Sequence, residues 1–201
     1  MGKLVVTQSV TLDGVMQAPG RPDEDRRGGF EHGGWAVPYN DPVMAEVMSE
    51  GIDSGGALLL GRRTFEDFAA FWPHQSEDNP YTAVINDFQK YVASTTLREP
   101  LAWRNSTLLK GDAMEAVAGL KAHPGTDLVT LGSGELVQSL MRHGLVDEYV
   151  VLIHPLVLGS GHRLFPDGGV AATLRLAGTI TTTTGVVIAT YRPADPTAGA
   201  A

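Results

Sequence analysis

The sequence predicts an α/β fold built on a mostly parallel sheet with an antiparallel C-terminal edge. Short apolar runs alternate with amphipathic stretches up to residue 153, the pattern of repeated strand–helix units. Three of those runs end in glycine or hydroxyl clusters, and two of the three lead directly into the next amphipathic stretch. After residue 153 no helical period recurs, and two Thr-rich alternating stretches meet at Gly185, as a terminal hairpin would.

The elements follow in order. Lys3 to Val10 reads as a buried strand, and 11–40 as a long Gly/Pro-rich segment carrying Phe30, Trp35 and Tyr39. A segment of that length without regular structure is usually functional. Asp41-Pro42 supplies an N-cap and a proline at the first helical position, with Met44, Val47 and Met48 as the buried stripe. Ala57 to Leu60 is a short strand ending at Gly61, and Thr64 opens a helix with Asp67 as a weak capping partner. Strands are expected at Lys90 to Ala93, Ser106 to Leu109, Leu128 to Leu131 and Val146 to Ile153. Asp112 and Glu115 start a helix that stops near Ala122, before His123-Pro124-Gly125; Gly134 to His143 is another, closed by Gly144. Thr173 to Thr184 and Val186 to Arg192 are the closing strands. One domain over 1–192 and a disordered tail over 193–201 are expected.

Composition narrows the function. The chain has 201 residues, 43% hydrophobic and 19% charged, a globular profile. Lys plus Arg is 15 against 23 for Asp plus Glu, a net charge of -8, which argues against general nucleic-acid binding. The lack of cysteine removes disulfides, thiolate metal sites and thiol nucleophiles. No secretory, myristoylation or membrane-spanning signal is legible: Val6 breaks the acylation pattern, and His154-Pro155 interrupts the most apolar stretch. A cytoplasmic protein without nucleic-acid or membrane partners is expected. An excess of Arg over Lys with abundant Ala and Gly suits a GC-rich bacterial genome.

The chemistry is concentrated at three strand ends. They are Gly61-Arg62-Arg63-Thr64, Ser94-Thr95-Thr96 and Gly132-Ser133-Gly134. In open α/β sheets ligands bind outside such ends, where helix N-termini offer free N–H groups and glycine admits a close approach. Two arginines and a row of hydroxyls suit an added ribose phosphate. Together they suggest a phosphorylated dinucleotide site. Each piece also has a plain structural reading: a tight turn, a solvated charge pair, a strand terminus. Other chemistries lack their patterns. Gly132 to Val137 misses the third glycine of the Rossmann fingerprint, Ser133 and Ser160 lack the flanking glycines of a nucleophile elbow, and the six histidines have no metal-ligand spacing. His154 reads as a satisfied core histidine, and His143 as a helix C-terminal one.

An ordered set of segments carries a family resemblance: Ser9 to Gly14, Leu60 to Phe65, Lys90 to Leu97, Gly132 to Leu136, and Val146 to Glu148 with Pro155 to Gly161. Over residues 2–192 the chain resembles the dihydrofolate-reductase-like superfamily, and most of all the reductase domain of bacterial riboflavin biosynthesis and its stand-alone relatives. The resemblance implies a three-layer α/β/α fold, NADPH as cofactor, and hydride transfer to a C=N or C=O bond. It implies that Gly61, Arg62, Arg63 and Thr64 contact the cofactor phosphates, Ser94, Thr95 and Thr96 the 2′-phosphate, and Gly132, Ser133, Gly134, Glu135 and Leu136 the pyrophosphate near the nicotinamide. Asp13 and Gly14 would flank nicotinamide and substrate. Two departures stand out. Leu131 occupies a place where the riboflavin reductases commonly carry an acid, and the first helix offers only Asp41, Glu46 and Glu50 in place of the pterin-facing carboxylate.

The resulting expectation is an NADPH-dependent reductase of a small heterocycle, such as a pterin or a ribosylaminopyrimidine, working as a homodimer. Trp35 and Tyr39 would wall the substrate pocket, or equally be plain core. Asp13 or Asp41 would orient substrate or relay a proton, while Asp41 alone also suffices as an N-cap. The alternatives are a non-catalytic NADPH- or nucleotide-binding sensor, and a protein whose glycine turns serve structure only.

Overall fold

A computed structural model describes residues 1–194, apart from 54–55, 77, 79, 124 and 126. The elements are β1 (Leu4–Thr11), α1 (Pro42–Asp53), β2 (Ala57–Gly61), α2 (Arg62–Phe71), α3 (Pro80–Asp87), β3 (Lys90–Ala93), β4 (Ser106–Leu108), α4 (Ala113–Ala122), β5 (Leu128–Leu131), α5 (Gly134–Arg142), β6 (Glu148–His154), β7 (Leu174–Thr181) and β8 (Val187–Pro193). They build one eight-stranded sheet in the order β4-β3-β2-β5-β1-β6-β8-β7. The six strands from β4 to β6 are parallel; β8 runs antiparallel to β6, and β7 to β8. The expected α/β class with an antiparallel C-terminal edge is what the chain forms.

Strand alternation sorts the core into two layers. Leu58, Leu60 and Val92 pack with Phe65, Ile85 and Trp103 under α2 and α3. On the same face Leu152 and Ile188 meet Met44 and Val47 of α1. The opposite face carries Leu4, Val6, Leu59, Leu128 and Val151, covered by Val117 of α4 and by Leu136, Val137 and Leu140 of α5. Burial from both sides is why β2 reads as an unbroken apolar run rather than an alternation.

Several expectations need correction. α2 begins at Arg62 with Gly61 as its N-cap, two residues before Thr64. The Thr64 hydroxyl instead accepts a hydrogen bond from Ser133 N at 3.0 Å, and Asp67 pairs with Arg21. α3 has no counterpart in the sequence reading. β8 extends to Pro193, which pairs with Leu174, and Ala194 N donates to Thr173 O at 2.9 Å, so the ordered chain passes the expected boundary. Residues 195–201 of the expected tail, and the side chains of Met48 and Glu50, lie outside what is described.

Lys90 is the least expected core residue. It is fully buried, and its Nζ donates to the carbonyls of Phe88 (2.7 Å), Asn86 (3.0 Å) and Arg104 (3.3 Å) above the Trp103 ring. Burial, with the nearby Arg104 charge, lowers its pKa to about 8.

Candidate functional site

Strand lengths create the cleft. β5 stops at Leu131, opposite Thr7, while β1 and β6 continue side by side to Thr11 and His154. The sheet therefore steps up by roughly 13 Å, four residues of strand rise. The registers Gly61↔Ala93 and Leu58↔Val129 bring the ends of β2, β3 and β5 to one level at the foot of that step. A cavity of ≈ 1830 Å³ occupies the space above them. Every residue expected to hold cofactor lines it: Gly61, Arg62, Arg63 and Thr64, then Ser94, Thr95 and Thr96, and finally Gly132, Ser133, Gly134, Glu135 and Leu136.

Two of the three turns are stitched together. Gly61 N donates to Ser133 Oγ and Ser133 N donates to Thr64 Oγ1, both at 3.0 Å. Gly132 and Ser133 are consecutively left-handed, with φ of 63° and 56°. Such a turn aims the start of α5 at the cleft but is costly for any residue with a Cβ. A Cβ on Gly132 would lie 3.3 Å from Thr64, and one on Gly134 would lie 2.6 Å from the sulfur of Met16. No side chain caps α2 or α5. In the third turn, Ser94 Oγ accepts from Thr96 N (3.1 Å) and Leu97 N (3.0 Å), which folds the chain back toward the cleft.

The other end of the cavity lies under α1 and is lined by Thr7, Ser9, Asn40, Asp41, Met44 and Leu152. Asp41 has both oxygens engaged. Oδ1 accepts from Val43 N at 2.7 Å, and Oδ2 accepts from Thr183 N at 2.8 Å and from the Thr183 hydroxyl. The Thr183 hydroxyl, above all, holds its carboxyl below the ordinary aspartate range. It is an ionised N-cap and a clasp on the β7–β8 turn, which does not suit it to donate a proton. Glu46, on the same helix, is exposed and does not line the cavity.

Four expected site residues stand elsewhere. Asp13 and Gly14 do not line the cavity. The Asp13 carboxylate accepts from Thr11 Oγ1 (2.6 Å), Leu158 N (3.2 Å) and Gly159 N (2.8 Å), tying the first loop to the loop after β6. These bonds, with Thr11 foremost, lower its pKa. Trp35 and Tyr39 are likewise off the cavity wall. Trp35 is buried with Val15, Ala18 and Phe30, and its Nε1 donates to Gln17 O at 2.7 Å. Both rings meet the buried His154 edge-on, at 5.1 and 5.6 Å. His154 is only half satisfied: Nδ1 lies 3.0 Å from Leu152 O, while the buried Nε2 has no protein partner. Burial lowers its pKa and keeps the ring neutral. Trp35 thus belongs to a buried cluster, while Tyr39 is partly buried against Leu152, Val186 and Ile188.

The 11–40 segment still reaches the cavity, through Met16 to Pro19 and Glu24 to Arg27. Gln17 organises it. Its Nε2 donates to Asp25 O (3.1 Å) and Arg27 O (3.0 Å), and its Oε1 accepts from His162 N at 2.9 Å. Gln8, at the foot of the step, lines the cavity with its Oε1 buried and unpartnered. Glu24 and Asp67 also line it, and desolvation raises both carboxyls above their usual range. Sequence reasoning missed Gln8, Gln17, Glu24, Arg27 and Asp67. None stands in a recognisable motif, although Asp67 shares α2 with the double arginine.

The class of protein is now defined by an open α/β sheet with a long cleft over its strand ends. Residues 2–188 match the RibD C-terminal domain family, and the chain belongs to that family. It is 28% identical to YyaP of Bacillus subtilis (strain 168) over 192 residues, 94% of each chain. Among solved structures, a pyrimidine reductase-like protein from Corynebacterium diphtheriae matches with a TM-score of 0.64 at 11% identity, covering 96% of this chain and 92% of that one. Dihydrofolate reductase from Enterococcus faecalis, complexed with NADP(H) and RAB-propyl, matches with a TM-score of 0.62 at 15% identity, covering 96% and 98%. These structural likenesses show a dihydrofolate-reductase-like fold. Among the described residues no helix is long and apolar enough to cross a membrane.

Proposed function

We propose that the cleft binds NADPH and that the protein is a reductase of a small heteroaromatic compound, of pterin or ribosylaminopyrimidine type. The observation that carries this reading is the convergence of three turns, expected separately, on one cavity. The residues present fit the cofactor. The uncapped starts of α2 and α5 offer N–H groups and positive dipole to a pyrophosphate. Arg62 opens α2 directly after Gly61, which pairs with Ala93 just before Ser94 and Thr95, a grouping that suits a 2′-phosphate. From Gln8 onward β1 has no strand partner on its β5 side, so its backbone edge is open to a planar amide or ring. NADPH, when bound, supplies the hydride. The chain's own share is to orient cofactor and acceptor and to exclude water beneath α1.

The engagement of Asp41 favours a second reading, a non-catalytic NADPH- or nucleotide-binding protein on the same fold. The test is oxidation of NADPH followed at 340 nm with a panel of pterin and ribosylaminopyrimidine acceptors. Acceptor-dependent turnover is expected. Tight NADPH binding with no turnover across the panel would give the second reading its place. With Leu131 where an acid is common among riboflavin reductases, the riboflavin-pathway pyrimidine is expected to be a poor acceptor.

The homodimer belongs to the same proposal. β7 is the outermost strand, exposed from Arg175 to Thr181, with Leu176 and Ile180 apolar. An antiparallel edge of this kind can pair with its own two-fold copy.

A further inference from the structure

The strongest unexplained geometry in the cleft is a carboxylate held where two arginines converge. Arg63 Nη1, on α2, donates to Glu135 Oε1 at 2.7 Å. Arg27 Nη1, on the 11–40 segment, donates to the same oxygen at 3.2 Å. The two guanidinium groups approach from elements far apart in the chain, and both line the cavity. Arg27 is held ready for this. Asp25 accepts from its Nε at 2.9 and 3.0 Å and from its Nη2 at 2.6 Å, while Gln17 fixes the backbone of both residues. Glu135 is the second residue of α5, beside the N–H groups of an uncapped helix. Desolvation would raise its carboxyl, but the hydrogen bonds and charges of Arg63 and Arg27 outweigh it and hold the group ionised.

We propose that Arg27 and Arg63 form the anion cradle of the cleft, and that the Glu135 carboxylate stands in for the cofactor's pyrophosphate and competes with it. This rests on the cofactor reading above and extends it to Arg27, a residue of the substrate-side segment. A phosphate oxygen entering the position of Oε1 gains both arginines and the start of α5, while Glu135 swings to solvent, where most of its side chain already is. Because the pyrophosphate and Glu135 are both anionic, one excludes the other. Affinity for the cofactor is then set by this exchange and not by the arginines alone. The exchange also joins the 11–40 segment to the cofactor, since Arg27 can change partners without leaving Asp25.

The test is a double-mutant cycle with E135Q, R27Q and the double variant, measuring affinity for inorganic pyrophosphate and for NADPH by calorimetry. All three groups are substantially exposed, so circular dichroism and the thermal midpoint should stay near wild type. E135Q is expected to bind both ligands about three- to fivefold more tightly, the scale of an exposed ion pair, and R27Q to bind them more weakly by a similar factor. The gain from E135Q should shrink in the R27Q background. Unchanged or weaker binding by E135Q, or a gain that is independent of Arg27, would overturn the proposal. If pyrophosphate follows the expected order and NADPH binds to none of the four proteins, the cradle stands and the dinucleotide reading falls. If neither ligand binds any of them, both fall.

Discussion

The two ends of the cleft treat their helix termini in opposite ways. Under the turns, α2 and α5 begin with no side-chain cap, and their first residues line the cavity. At the far end, α1 begins under Asp41, whose carboxylate satisfies Val43 N and also holds Thr183. The first end is left electrostatically open, with positive dipole and with Arg62 and Arg63 paired to the exposed carboxylates of Glu66 and Glu135. The second is closed, the buried Asp41 carboxylate already saturated. An anion gains most at the first end, where it satisfies donors that no residue caps. A flat, neutral heterocycle suits the second, where Met44 and Leu152 offer apolar surface and Ser9 and Asn40 a few polar contacts. On the proposed function, cofactor and substrate would be sorted by the way each end meets its backbone donors.

The largest effect expected from breaking this contrast is at Gly132. Its φ of 63° is unfavourable for an L side chain, and an added Cβ would meet Thr64 at 3.3 Å. Gly132→Val should cost about 2 kcal/mol of stability or more, and abolish NADPH binding by displacing the Thr64–Ser133 stitch. Gly134→Ala should be milder, because the nearest atoms belong to the flexible Met16 side chain. Chemical denaturation and cofactor titration of the pair check this; equal effects would mean that the left-handed turn is not what shapes the open end.

A smaller effect is expected at the closed end. Because the folded-state pKa of Asp41 is depressed, its contribution to stability is present above the ordinary aspartate pKa and lost as pH falls through the lower folded value. Asp41→Asn should therefore lower the thermal midpoint at neutral pH and flatten its decline below about pH 4. Turnover with any accepted substrate should stay within about twofold, since the carboxylate serves the fold. A loss of kcat with an intact thermal midpoint would restore Asp41 as a proton-handling group and remove the asymmetry between the two ends.

The open end was largely legible in the sequence, and the physical reason is locality. β3 and β5 fall where their apolar runs do, and the polar residues that follow them in the chain are the ones that line the cleft. Gly61 as the cap of α2 was missed because glycine offers no capping side chain to recognise, whereas Thr64 offered one that is used elsewhere. The 11–40 segment was legible only as important. Trp35 and Tyr39 go inward because His154, more than a hundred residues away, provides an edge for both rings. Asp13 is held off the cavity wall by Leu158 and Gly159, and Arg27 reaches Glu135 across the cleft; neither pairing leaves a trace in local spacing. The buried Lys90 is of the same kind, since three backbone carbonyls and the Trp103 ring make its place.

The measurement that bears most directly on the central claim is a side-by-side calorimetric titration of the wild-type protein with NADPH and NADH at fixed ionic strength. Charge-assisted hydrogen bonds are worth about 1.5–3 kcal/mol each, so even one to the 2′-phosphate from Arg62 or the Ser94–Thr96 turn implies a preference of about tenfold or more for NADPH. That preference should fall when Arg62 is replaced by Gln. Equal affinity for the two dinucleotides, or no binding of either, would contradict the assignment of this cleft to a phosphorylated nicotinamide cofactor.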